Sequence, residues 1–413
     1  MSTYLWSISF SNVKNINKHT VLDLIRFTPG GISRVEVARR LGLSRAAVST
    51  IVNDLMECEI INETERINSH NGRPPVVLEI NPNRGYVVGI DFGATHLSLL
   101  LADLSARILK EIEVKLDIKQ GPEFCLAEAG RQMHDMLANS GLTLKDVLAF
   151  GTGFPGPVVA EAGIVLSPPI MPGWDRYPIR ETLEKQWETP VSVNNDAELG
   201  ALGEWAAGAG RGERNLAYIK VGTGIDAGLL FDGQIYRGTT GSAGEIGHLT
   251  IEENGPLCCC GNHGCLEALA GGHAIALQVQ DAVRAGSRTQ LANIQPVESI
   301  TTREVAAAAR RGDLLAQQIL RQAGERIGVA IAGLVNIINP GMVIIGGGVA
   351  QSGDILLEPI RQAVERRSLP ASTRVVRITT AMLGRRSSSM GAVVQALTVA
   401  LHRVADRKEV RIS

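Results

Sequence analysis

The 413-residue chain has few aromatic side chains: seven Phe, four Trp and five Tyr, only 4% of the whole. It lacks any imbalance of charge, since 41 basic and 42 acidic residues leave a formal net charge of −1. Near-neutrality excludes a protein held on nucleic acid by bulk charge alone, and leaves room only for a small basic module on a neutral body. No secretory leader is expected, because Met1 to Phe10 has neither a basic flank nor a long apolar run. A cytoplasmic, reducing location is the expectation. The stretch from Ile327 to Gly353 carries no charge and is long enough to span a bilayer. Asn336, Asn339, Pro340 and Gly346-Gly347-Gly348 break it into a buried helix, a turn and a buried strand, so no membrane partner is expected.

What is present fits a soluble globular protein of two or three domains, 45% hydrophobic and 20% charged. Forty-five glycines in so aromatic-poor a chain point to many tight turns between strands and helices. The six cysteines are Cys58, Cys125 and a cluster at Cys258, Cys259, Cys260 and Cys265. In a reducing compartment such a cluster reads as metal ligands rather than disulfides.

The first eighty residues carry three helical patterns. Val13, Ile16, Thr20, Val21 and Leu24 keep helical spacing. A second helix runs from a Ser33 cap through Val35, Ala38 and Leu41, and Ser44 caps a third after the Gly42-Leu43 turn. In that third helix Val48, Ile51, Val52 and Leu55 form one apolar face. Ser44 at the cap and Arg45, Ala46, Ser49, Thr50 and Asn53 on the opposite face are the candidate DNA contacts, suited to a major groove. Ile60-Ile61 and Val76 to Ile80 predict a β-hairpin wing around Ser69 to Pro74, whose Arg73 suits a narrow minor groove. Between Ser33 and Asn53, Arg34, Arg39, Arg40 and Arg45 face only Glu36, a local charge of +3. A single such module buries too little surface for tight specific binding, so a dimer on a two-fold operator is expected.

Asn81 to Gly85 is a polar turn and a plausible linker, after which strands and helices alternate as in an α/β architecture. Asp91-Phe92-Gly93-Ala94-Thr95 joins two strands and can hold a phosphate or a metal-bound water. Further glycine turns, Gly222 to Gly228 and Gly346 to Gly348, follow the strands Leu216 to Val221 and Met342 to Ile345. This repetition predicts two similar lobes around a cleft, with ligand at the carboxyl ends of the strands. His248 and the four clustered cysteines supply enough soft ligands within eighteen positions for a closed, structural tetrahedral zinc site. Spacing leaves open which of Cys258, Cys259 and Cys260 ligate, and whether His263 replaces His248. Asn195, Asp196, Glu245 and Glu267 are polar groups able to read sugar hydroxyls.

From about Tyr86 onward the chain resembles the ROK family (repressors, open reading frames and kinases). The resemblance rests on Asp91 to Thr95, Gly151 to Pro157, Asn195-Asp196-Ala197, Gly244 to His248 and the cysteine-rich segment ending at Glu267. It implies an actin-like ATPase fold of two α/β lobes behind the winged helix-turn-helix, the organisation of that family's sugar-responsive repressors. Residues 1–82 would form the DNA-binding domain, 86–195 the first lobe, 196–380 the second lobe with the zinc site, and 381–413 a C-terminal helix packing back on the first lobe. By position, zinc would sit on His248, Cys258, Cys260 and Cys265. A monosaccharide would be held by Gly156, Asn195, Asp196, Glu245, His248 and Glu267. In the family's kinases the residue at Asp196 is the general base. Two departures point away from catalysis or leave the sugar open: Asp226 stands where the second phosphate turn usually has glycine, and Pro169 replaces an Asn common near the sugar. A homodimeric or tetrameric, non-enzymatic, sugar-modulated repressor is the expectation, with an ATP-dependent sugar kinase carrying a DNA-binding module as the alternative.

Overall fold

The computed structural model describes residues 10–65, 76–166, 168 and 170–406, with backbone alone for residues 10–14. Segment 69–74 with Arg73, and Pro169, lie outside the described residues. Three helices open the chain: α1 (Phe10–Arg26), α2 (Arg34–Leu41) and α3 (Arg45–Glu57). The Ser33 and Ser44 hydroxyls accept the N–H groups of Glu36 and Ala47 at 3.3 and 3.1 Å, filling two of the donors a helix start leaves open. Gly42 ends α2 at φ 65°, a left-handed position that sets the short turn into α3. Strands β1 (Ile61–Glu65) and β2 (Val76–Ile80) pair antiparallel, Ile61 opposite Ile80.

Val48, Ile51, Val52 and Leu55 are buried, as their periodicity predicts. The phase expected for the first two helices holds only in part. Val21 and Ala38 are buried as expected, but Ile16 and Val35 are 53% and 56% exposed, and Leu22, Ile25 and Val37 join the core. The reason is a contact that local periodicity cannot register. Helix α1 is gripped from a second side by the last helix of the chain, where Lys18 donates to the Ala405 carbonyl and Arg26 to the Val394 carbonyl and Thr398 hydroxyl.

The body follows with β3 (Tyr86–Phe92), β4 (His96–Asp103), β5 (Ile108–Lys115), α4 (Pro122–Ala138), β6 (Val147–Phe154), the short hairpin β7 (Val158–Val159) and β8 (Ile164–Val165), α5 (Ile179–Trp187) and β9 (Val191–Asn195). Then come α6 (Asp196–Ala207), β10 (Leu216–Val221), β11 (Ile225–Phe231), β12 (Gln234–Ile235), α7 (Leu266–Ala270), α8 (Gly272–Arg284), α9 (Thr302–Arg310) and α10 (Leu314–Ile338). The last elements are β13 (Met342–Gly346), α11 (Asp354–Arg367), α12 (Pro370–Thr373), β14 (Arg377–Thr380) and α13 (Ser387–Asp406).

The two five-stranded sheets repeat one plan. Their orders are β5-β4-β3-β6-β9 and β12-β11-β10-β13-β14. In each, three successive strands form an antiparallel meander, and the central strand is continued by two parallel neighbours. This is a duplicated α/β architecture. The charge-free stretch resolves as expected into the end of α10, a turn at Asn339 (φ 51°) and β13. No helix among the described residues is long and apolar enough to cross a membrane.

Helix α13 lies against the first sheet at backbone distance. A methyl group added at Gly89 or Gly151 would stand 2.5 or 2.0 Å from the carbonyl oxygens of Ser389 and Ala392. On its other flank one apolar core runs without a break from Val21, Ile51 and Leu55 through Val87 and Leu100 to Val393, Leu397 and Leu401. The polar turn at 81–85 is therefore no free tether. Asn81 donates through its amide to the Glu59 carbonyl, and Arg84 reaches the Cys58 carbonyl at 3.3 Å. The helix-turn-helix is docked on the body.

Candidate DNA face, metal centre and ligand cleft

On α3, Ser44, Arg45, Ala46, Thr50 and Asn53 are exposed and Ser49 is half-buried, so the six described candidates share one solvent face. Part of the local positive charge is spent internally. Glu36 pairs with both Arg39 and Arg40, and their hydrogen bonds pull its carboxyl down to about 2. Arg34, which the pattern did not single out, is a brace. It pairs with Glu63 of β1 at 2.7 Å and donates to the Asn53 side-chain oxygen at 3.0 Å. Asn53 thus keeps its two amide donors and one oxygen lone pair for a base edge. Among the described residues Arg45 alone of the four arginines has no carboxylate partner, and it heads the helix that would enter a groove.

The cysteine segment folds into a tight loop. Thr250 bridges Cys265 and Leu257 bridges His263. Gly264 sits at φ 65°, where an added methyl would meet the Glu252 carbonyl oxygen at 1.5 Å. This closure gathers His248, Cys258, Cys260 and Cys265 with all ligand atoms within 4.8 Å of one another. Cys258 Sγ stands 3.6 Å from His248 Nδ1, and the Cys260 and Cys265 sulfurs are 3.7 Å apart. A tetrahedral ion with metal–sulfur bonds of about 2.3 Å has sulfur–sulfur edges of about 3.8 Å. The cluster could therefore hold a metal ion. Cys259 is exposed and turned to Glu267 at 3.3 Å, and His263 bonds the Gly255 carbonyl, so neither belongs to the four. His248 offers Nδ1 to this cluster while Nε2 faces Glu245 at 3.8 Å, which puts one ring nitrogen on each side.

A cleft of about 1070 Å³ opens beside it, walled by Gly93 to Thr95 from the first sheet and by Gly222 to Gly224 and Gly347-Gly348 from the second. Gly156, Asp196, Glu245, His248 and Glu267 all line it. Asn195 does not. Its side-chain oxygen accepts from the Ala197 and Glu198 N–H groups, and its amide donates to the Gly156 carbonyl and the Asp226 carboxyl. All four of its hydrogen-bonding positions are taken, so Asn195 caps α6 and holds other residues in place. Glu267 accepts the Ile225 N–H at 2.9 Å on one oxygen and the Cys259 thiol at 3.3 Å on the other.

Asp226 behaves differently from the phosphate-repelling carboxylate that its position in the glycine turn suggests. Its oxygens accept from Asn195 and from the Ala227 N–H, beneath the acid cluster. Burial, with Glu245 and Asp196 close by, raises its pKa well above the ordinary range and favours the neutral acid. Burial also raises Asp196 and Glu245.

Sequence reasoning missed Lys220. In β10 it follows Leu216 and Tyr218 on one face of a buried strand, and a lysine there was itself a signal. Its ammonium donates to Asp196 at 2.7 Å and approaches the Ser388 hydroxyl at 3.5 Å. Burial opposes its charge, but Asp196 and Asp91 outweigh that and hold it protonated above the usual lysine range. Asp91 is itself buried, yet Lys220 and His96 keep it below the usual carboxylate range.

With this geometry in view, the comparisons with known proteins are informative. A winged helix-turn-helix DNA-binding family matches residues 15–62, and the ROK family matches residues 87–399. The chain is 31% identical over 386 residues to a xylose repressor of Caldicellulosiruptor bescii, covering 94% of this chain and 96% of that one. A crystal structure of a ROK family transcriptional regulator, a homolog of the E. coli MLC protein, superposes with a TM-score of 0.82 at 29% identity, over 95% of this chain and 98% of that one. A ROK family glucokinase from Streptomyces griseus, solved with glucose and AMPPNP, superposes at 0.65 and 30% identity, over 76% of this chain and 99% of that one. The match of nearly the whole body, behind a DNA-binding module of its own, places the chain in the ROK family.

Proposed function

We propose that the chain is a sugar-responsive transcriptional repressor of the cytoplasm, binding a palindromic operator as a homodimer or a dimer of dimers. A monosaccharide in the cleft is its effector. Ser44, Arg45, Ala46, Ser49, Thr50 and Asn53 read the major groove, and Arg73 of the wing reaches the minor groove. The zinc ion is structural, on His248, Cys258, Cys260 and Cys265. It fixes the His248 tautomer so that Nε2–H donates to the sugar, beside Gly156, Asp196, Glu245 and Glu267. On this reading the chain divides at residues 82, 195 and 380 into DNA-binding module, two lobes and C-terminal helix.

The observation that carries the proposal is a continuous path from cleft to DNA face. Asp196 heads α6, the Ser388 hydroxyl at the start of α13 donates to its carbonyl, and the middle and far end of α13 hold α1 through Arg26 and Lys18. Sugar-dependent closure thereby shifts the paired DNA modules, by no more than the sugar's differential affinity for the two closures allows. The kinase alternative has the glycine turns in its favour, but its general base is held by a lysine. The test is thermal unfolding of the zinc-loaded chain with a panel of monosaccharides, alongside operator binding. A saturating effector at a hundredfold excess over Kd adds about 2.7 kcal/mol to native stability. One sugar that both stabilises the fold and weakens operator binding supports the reading. Sugar-dependent ADP release would replace it with the kinase.

A further inference from the structure

We propose that Lys220 is a tethered cation that takes the place of a metal–phosphate bridge between the lobes, so that the cleft admits its ligand without nucleotide and Asp196 stays ion-paired. The proposal deepens the repressor reading and borrows from it only the absence of phosphoryl transfer.

The geometry is that of a clamp inside the cleft, which Lys220, Asp91, Asp196 and Ser388 all line. Lys220 sits on β10 of the second sheet, whereas Asp91 ends β3 of the first sheet and Asp196 starts the helix that follows β9. Its ammonium lies at 2.7 Å from Asp196 and within reach of Ser388 on α13, so three segments meet on one charge. Phosphoryl transfer asks for the reverse arrangement: a divalent cation to bridge the phosphates and a free carboxylate to take the hydroxyl proton. Here the ammonium fills the cation's place, and the carboxylate that would accept the proton is already accepting from a full positive charge. Asp91 and Asp196 outnumber the ammonium, with His96 Nε2 3.5 Å from Asp91, so the group offers phosphate little attraction and a metal no free pair of acids. Asp91 keeps one buried oxygen without a hydrogen-bond partner in the described structure, the atom a metal-bound water would use once the lysine is withdrawn.

The experiment measures Mn2+·ATP binding, by manganese paramagnetic resonance and calorimetry, to the zinc-loaded wild type and to Lys220→Met and Lys220→Arg. Lys220→Met should bind Mn2+·ATP at least about tenfold more tightly than wild type, a gain of about 1.4 kcal/mol. Lys220→Arg should exclude it as wild type does. Equal affinity in wild type and Lys220→Met overturns the proposal. So does metal-free ATP binding that wild type has and Lys220→Met loses, because the lysine would then serve phosphates. Zinc content and cooperative melting check each variant. If Lys220→Met fails to fold, wild type decides: sub-millimolar Mn2+·ATP affinity refutes the clamp, and its absence together with a slowly exchanging Lys220 ammonium resonance upholds it. Operator binding is read on the same samples, so loss of the repressor reading is seen separately.

Discussion

Arg26 is where the DNA module is fastened to the body. Its guanidinium donates to the Val394 carbonyl at 2.8 Å and the Thr398 hydroxyl at 2.9 Å, and lies 4.7 Å from the centre of the Phe27 ring. Burial pulls its pKa down to about 10 against the pull of Asp23, so it is charged at neutral pH. Arg26→Ala removes two charge-assisted bonds, each worth about 1.5–3 kcal/mol in isolation. The charge leaves with them, and the Val394 carbonyl keeps the Thr398 hydroxyl as donor at 3.1 Å, so no buried ion is stranded. The net cost should be about 1–3 kcal/mol of stability, short of unfolding. The larger effect is on coupling. Ligand-to-DNA coupling of this kind is typically about 1–3 kcal/mol, or 5- to 150-fold. With the grip on α13 loosened, operator affinity without sugar should change by less than about threefold, while the sugar-induced loss of affinity shrinks by about fivefold or more. The assay is fluorescence anisotropy on operator DNA with and without saturating effector, with sugar affinity measured in parallel. Undiminished coupling in a folded Arg26→Ala protein would refute transmission through the α1–α13 contact.

Three further outcomes follow from the site geometry. Cys265→Ser should reduce bound zinc from one ion per chain to none by elemental analysis, and weaken sugar binding roughly 10- to 100-fold because His248 loses its orienting partner. Full sugar affinity in the metal-free variant would separate the two sites. Arg45→Ala should cost about 1–3 kcal/mol of operator affinity and leave the sugar-induced thermal shift unchanged. Asp226 has a folded pKa well above its ordinary 3.8, with burial the first cause. Its contribution to stability is therefore fully present below that ordinary value and is lost as pH rises through the raised one. Asp226→Asn should flatten that decline at pH values above 3.8 in urea unfolding, and an unchanged slope would mean that the carboxyl is ionised in the native state.

Much of this was legible from local pattern. The α3 core face, the two serine caps and the strands β10 and β13 are each set by residues within one turn or one strand, and there sequence and structure agree. The cysteine cluster was legible as a candidate metal site, but spacing left open which cysteines ligate, and the folded loop brings His248, Cys258, Cys260 and Cys265 together. Features that failed to read out depend on distant partners. Helix α1 rotates its buried side toward α13, some 370 positions away in the chain, so Ile16 stays outside. The polar turn at 81–85 reads as a free linker because nothing local reveals that the module docks. Asn195 looks like a sugar ligand until its four hydrogen bonds are counted. Arg34 looks like surface charge until Glu63 and Asn53 are found beside it. Lys220 gains its meaning only when the two sheets are brought together.

The docked module constrains how a sugar could move it. Helices α6 and α13 meet backbone to backbone: a methyl at Gly203 would lie 2.2 Å from the Ser387 carbonyl oxygen, and one at Gly391 1.8 Å from that of Leu199. Buried Glu204 ties the start of α13 to α6, accepting from the Met382 and Leu383 N–H groups and the Ser387 hydroxyl. The two helices cannot slide past each other without breaking these contacts, so they move as one body with Asp196 at one end. Twenty residues of α13 form a lever of about 30 Å at 1.5 Å per residue. A rotation of about 5° at the cleft would displace the far end, and α1 with it, by about 2.5 Å, comparable to the helix shifts that switch other proteins. In the proposed dimer, doubled across its two-fold axis, that would pull recognition helices off half-sites one helical turn apart. No flexible linker is needed for such a response, and a tether at 81–85 would have absorbed the motion. On the proposed reading, the fixed turn and the shared core would let a small closure at the sugar reach the DNA.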